Sequence, residues 1–181
     1  MKSIKYHYFL LSALCIGFSA YAATSLVATD KAAQGLTQAI ASLKMSKVAV
    51  PSLIPAPAAN SRYFVSAERI PNRTDDYSIS FDNTADCHGA QYCSAGSVST
   101  QVQGNPTIYF DMQNQELTQR VILPKGGVVY YTPSHAMGSF WPGRVEWRCG
   151  TTLYTLSWAL PQTSERGDLL QMTSSLWDKV C

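Results

Sequence analysis

Between residues 30 and 46 the apolar positions Ala33, Leu36, Ala39, Ile40 and Leu43 recur every three or four residues, with Lys31, Gln34, Gln38 and Lys44 between them. That period predicts an amphipathic helix, with Thr29 or Asp30 placed to cap its first turn. Pro51, Pro55 and Pro57 forbid continuation, so the apolar segment 48–60 reads as extended chain packed on the same domain. From Tyr63 the period changes to two. Tyr77, Ile79 and Phe81 alternate with Ser78 and Ser80, and Val98, Thr100 and Val102 alternate likewise, the pattern of half-buried strands.

Further strands are predicted at Thr107–Met112, Arg120–Leu123 and Val128–Tyr131. Val145 and Trp147 lead through a turn at Gly150 into Leu153–Trp158, a hairpin. Strands so closely spaced, with no helix between them, pair mainly antiparallel. After Pro161 the helical period returns at Leu169, Met172, Leu176 and Val180. The expected fold is α+β: a single antiparallel sheet of about six to eight strands, packed by an N-terminal and a C-terminal helix.

The stretch before this domain changes the picture of where it works. Lys2 and Lys5 precede an apolar run from Phe9 to Phe18, and Ala20-Tyr21-Ala22 supplies a cleavage site. This predicts a secretory signal peptide over residues 1–22 and a mature single domain over 23–181, periplasmic or secreted, with no membrane span. Leu14 before Cys15 argues against a lipoprotein. Loss of Lys2 and Lys5 brings Lys+Arg from 14 to 12 against 12 Asp+Glu, so the mature chain is formally neutral. A neutral domain gives no reason to expect nucleic acid or an anionic membrane as partner.

In an exported chain the remaining Cys87, Cys93, Cys149 and Cys181 read as disulfides, and of three pairings the nearest-neighbour one is expected: Cys87–Cys93 and Cys149–Cys181. Chain entropy gives these loops about 2.4 and about 3.7 kcal/mol respectively. Five residues between Cys87 and Cys93, and an oxidising compartment, argue against zinc. Asp82, Asn83 and Asp86 lack the glycine and distal glutamate of a calcium loop, and Asp75 and Asp76 beside Arg73 read as solvated charge on a turn. No metal and no cofactor is expected.

The catalytic inventory is thin. His88 and His135 are the only histidines of the mature chain, and there is no G-x-S-x-G elbow, P-loop, H-E-x-x-H or Rossmann glycine pattern. His135 with Ser134 or Ser139 and an aspartate is the one arrangement open to nucleophilic catalysis. Two connections carry more. The Cys87–Cys93 loop, bearing His88 and Tyr92, is held rigid and so loses little entropy on docking. The loop from Thr132 to Arg144 carries His135, Phe140 and Trp141, aromatics that pack back on the sheet or anchor a partner.

The segments C-H-G-A-Q-Y-C-S-A-G (Cys87–Gly96) and V-I-L-P-K-G-G-V-V-Y-Y-T-P (Val121–Pro133), with V-E-W before a hairpin to Tyr154, resemble a family of small exported bacterial domains. Those carry a C-x-G-A-x-x-C loop, a V-x-L-x-x-G strand and a W…Y hairpin before a final helix ending L-x-x-x-A-x-S; here Thr173 stands for the alanine. The resemblance spans about residues 48–176 and implies an exported α+β domain, with no activity attached. A second, smaller likeness is to the vertebrate-lysozyme inhibitors of Gram-negative periplasms, whose C-K-P-H-D-C loop inserts a histidine into the lysozyme cleft. His88 would take that part, in a loop one residue longer and without the Pro-His-Asp core.

The expected function is therefore that of an exported, non-enzymatic binding domain for a protein or envelope partner, with His88, Tyr92, His135, Phe140 and Trp141 as contact candidates. An inhibitor or immunity protein against a wall-degrading enzyme is one form of it, and a hydrolase using His135 is the competing class. Oligomeric state is left open by the sequence.

Overall fold

A computed structural model describes residues 24–59, 61–73, 75–136 and 140–181. The expected signal segment, residues 1–22, lies outside these residues, as does Ser139. The first elements are β1 (Leu26–Ala28), α1 (Thr29–Ala32), β2 (Ala33–Gln34), α2 (Leu36–Ser42) and β3 (Leu53–Pro55), the last pairing antiparallel with β1. The single helix expected over 30–46 is thus broken. Ala33 and Gln34 pair with Tyr63 and Phe64, and Gly35 turns the chain at φ 78°, a left-handed conformation that favours glycine. Thr29 does not cap: its hydroxyl donates to the Pro51 carbonyl at 2.7 Å, tying the segment to the proline-rich stretch. Leu43 is nevertheless buried and Leu36 and Ile40 pack against the core, so the apolar stripe keeps its purpose across the break.

Next come β4 (Tyr63–Arg69), β5 (Tyr77–Asp82) and β6 (Ser94–Val102), then β7 (Gln119–Ile122) and β8 (Val128–Thr132). A two-stranded excursion, β9 (His135–Ala136) and β10 (Phe140–Trp141), precedes β11 (Gly143–Cys149), β12 (Thr152–Trp158) and α3 (Gln162–Val180). The main sheet has eight strands in the order β2-β4-β5-β6-β12-β11-β8-β7. It is two meanders, β4 to β6 and β7 to β12, joined where their final strands pair over Gly96–Val102 and Thr152–Trp158. The sheet is not purely antiparallel: β2 runs parallel to β4, because a helix and β3 carry the chain back between them, which no hairpin does.

One face of the sheet carries the core. Tyr77, Ile79 and Phe81 of β5, Val98 of β6, Val145 and Trp147 of β11 and Leu156 and Trp158 of β12 are buried there with Leu169, Met172 and Leu176, and α3 packs against β11, β12 and β3. Trp158 meets Tyr63 edge-on at 5.5 Å and Phe81 at 5.1 Å, and Trp147 stacks on Tyr154 at 5.4 Å. Burying such rings is worth about 1.5–3 kcal/mol each by area removed from water.

Two further expectations are corrected. Thr107–Met112 forms no strand beyond a single bridge of Phe110 to Glu116, because side chains take its backbone donors: Thr107 N–H goes to Glu146 at 2.6 Å and Tyr109 N–H to Thr118 Oγ1 at 2.9 Å. Asp76 is not solvated. It is buried, accepts the Val102 N–H at 2.6 Å and lies 3.6 Å from Arg73, closing the β4–β5 turn onto the end of β6. The expected disulfides form, Cys87–Cys93 with Cα atoms 5.7 Å apart and Cys149–Cys181 at 5.4 Å. They fit an oxidising compartment. No helix among the described residues is long and apolar enough to cross a membrane.

Candidate functional site

Side chains alternate across a strand, so the residues between the core positions form the opposite face. Strand register sets them in rows. Ser66 of β4 is opposite Ser80 of β5, which is opposite Ser97 of β6, then Ser157 of β12, then Arg144 of β11. Adjacent strands lie about 4.8 Å apart, so these four serines and Arg144 form one row across the twisted sheet. Ser78 lies one pleat step away in β5, opposite Glu68.

Two loops rise over this row. The first is the Cys87–Cys93 loop, fixed by Asp82 as well as by its disulfide. The Asp82 Oδ2 accepts the Gly89 N–H at 3.1 Å and the Ser66 hydroxyl at 3.2 Å, and Asn83 donates its backbone and side-chain N–H groups to the Cys93 carbonyl at 2.9 and 3.1 Å. The second is the β9–β10 excursion, whose base rests on α3. Glu165, in the first turn of α3 and 1 % exposed, accepts the Tyr131 hydroxyl at 2.7 Å and the Ser134 N–H at 2.9 Å. Only a glycine fits beside it: a Cβ on Gly143 would lie 2.4 Å from the Glu165 carboxyl carbon. Burial first, then the Glu165 carboxylate, push the Tyr131 hydroxyl above its ordinary value, so it stays a donor.

The loops meet where the Gln91 side-chain amide donates to the Phe140 carbonyl. Between them and the serine row lies a cleft of about 440 Å³, walled by His88, Gly89 and Gln91 on one side and by Phe140, Trp141 and Pro142 on the other. That volume is in the range of small-molecule sites, about 300–1,000 Å³.

Its charge is balanced. Arg144 stacks over the Tyr109 ring at 4.8 Å and lies 5.7 Å from the Trp141 ring, donates to the Tyr109 hydroxyl, and is 3.9 Å from Glu146. Burial raises the Glu146 carboxyl above its ordinary value, opposed by the Thr107 N–H and by Arg144. Ser78, Ser80 and Ser97 line the cleft and make no side-chain hydrogen bond among the described residues, and Gly89 packs beside the Ser80 hydroxyl, where a Cβ would come within 2.7 Å of it.

The five contact candidates separate. His88, Phe140 and Trp141 line the cleft, with Phe140 54 % and Trp141 40 % exposed. Tyr92 is 89 % exposed and does not line it. His135 is also outside it: its Nδ1 donates to the Pro133 carbonyl at 2.9 Å and its ring lies 6.0 Å from Tyr109. No serine hydroxyl or carboxylate among the described residues bonds that ring, and the Ser134 N–H is committed to Glu165. Sequence reading missed the floor, Ser66, Ser80, Ser97 and Ser157, together with Arg144 and Gln91. Ser80 was visible as an outward position, but only register shows that it shares a row with three others. Among the described residues no three His, Cys, Asp or Glu side chains gather as metal ligands would. Compared with protein-family models, curated proteins and solved structures, the chain matches none.

Proposed function

We propose that this chain is an exported, non-enzymatic binding domain whose envelope partner enters the cleft between the Cys87–Cys93 loop and Phe140–Trp141. The observation that carries this reading is the meeting of two independently braced loops over a serine-lined sheet face. A rigid rim with exposed aromatics binds with little ordering cost. The two disulfides are consistent with an oxidising compartment outside the cytoplasm.

The inhibitor or immunity reading needs the disulfide loop to project into a partner. Its bonds to Asp82 and to the Phe140 carbonyl favour a loop that walls a cleft instead. The hydrolase reading has its histidine, His135, bonded to a backbone carbonyl and turned to Tyr109.

Retention of the oxidised protein on isolated envelopes tests the proposal. Replacing Phe140 and Trp141 together by alanine should abolish retention, and Tyr92→Ala, at an exposed site off the cleft, should preserve it. Equal loss in both variants, or none in either, would place binding elsewhere.

A further inference from the structure

The chemistry of the cleft narrows what it takes. Its floor is hydroxyl, each group both donor and acceptor, and Ser78, Ser80 and Ser97 are unbonded among the described residues. Its rim offers two exposed rings, Phe140 and Trp141, and the amide of Gln91 beside them.

Other ligand classes fit poorly. A phosphate or nucleotide wants several unshared cations. Among the described residues the cleft has one guanidinium, Arg144, which donates to the Tyr109 hydroxyl and lies 3.9 Å from Glu146, with its buried Nε lacking a partner. An acyl chain wants an apolar floor. An extended peptide wants a free strand edge, yet β5, β6 and β12 of the floor have strand partners on both sides, and β4, which pairs with β2 only at Tyr63 and Phe64, has α2 packed against it. What remains is a neutral molecule with many hydroxyls on one side and an apolar C–H face on another.

We propose that the cleft binds a neutral saccharide, one sugar ring lying against Trp141 and its hydroxyls bonded to Ser80, Ser97 and Gln91. This rests on reading the cleft as the binding site and names the chemistry of its ligand. Ring and hydroxyl row do different things: the aromatic face takes the apolar side of the pyranose, and the serines set which hydroxyls are accepted.

The test is titration of the isotope-labelled, oxidised protein with trisaccharides of neutral hexose and of N-acetylhexosamine at millimolar concentration, followed by amide and indole NMR shifts. Saturable shifts at Gly89, Ser80, Ser97 and the Trp141 indole with at least one sugar are expected. Trp141→Ala, and separately S80A/S97A, which leaves the rim intact, should each weaken that binding by about tenfold or more. No saturable shift with any of them, or shifts outside the cleft, overturns the saccharide assignment. Should the sugars fail while envelope retention is still lost in the Phe140 and Trp141 double variant, the cleft takes another envelope component: the saccharide inference falls and the binding function stands. Failure of both measurements removes both.

Discussion

Asp82 shows how one side chain sets the geometry of the site. It is 2 % exposed, and its Oδ2 bonds both the Gly89 N–H of the disulfide loop and the Ser66 hydroxyl of the floor. Asp82→Ala would leave that N–H unpaired, so a loss of about 1–3 kcal/mol is expected in chemical denaturation, with faster hydrogen exchange at Gly89. Glu146 makes a prediction of opposite sign to the usual carboxylate. Its folded pKa is raised above the ordinary 4.5 by burial. A group so shifted contributes stability fully below its unfolded pKa, and loses that contribution as pH rises through the folded value. Unfolding by urea from acid to neutral pH should show the wild type falling relative to Glu146→Gln, which keeps an acceptor for the Thr107 N–H. A difference that stays constant over this range would mean that Glu146 titrates alike in both states.

At the scale of elements the two disulfides act on different properties. Cys149–Cys181 ties β11 to the end of α3, so replacing both with serine should lower stability by about 2–5 kcal/mol and fray the last turn of α3. Ligand binding should survive, because the cleft lies on the other face of the sheet. The Cys87–Cys93 bridge closes a much shorter loop, so replacing both cysteines with serine should cost less stability but loosen His88 and Gln91 and weaken binding. Comparing the two double variants by denaturation and by titration separates these effects. Elements were legible in the sequence where burial alone decides them. Tyr77-Ile79-Phe81 and Leu169-Met172-Leu176 state their period openly, and both form the elements they predict. The pattern of the N-terminal helix hides Gly35 and the pairing of Ala33–Gln34 with β4, a contact with chain thirty residues away. Thr107–Met112 forms no strand because side chains claim its backbone donors: Glu146, 39 residues on, takes the Thr107 N–H, and Thr118, nine residues on, takes that of Tyr109.

For the molecule as a whole, sequence reading singled out both loops that wall the cleft, and the serines stood in plain alternation. It did not show that they meet, because their meeting depends on β6 pairing with β12, Val102 opposite Thr152. That pairing is also the seam of the sheet. Ser66, Ser80, Ser97 and the disulfide loop belong to the first meander; Ser157, Arg144 and Trp141 belong to the second. Closing contacts so far apart along the chain is a slow step in folding. Neither half carries a usable site by itself, so the protein becomes competent to bind only after its most distant strands have joined. An occupied cleft would then act as a clasp across that join, delaying the separation of the halves and lengthening the life of the folded protein wherever proteases sample every opening.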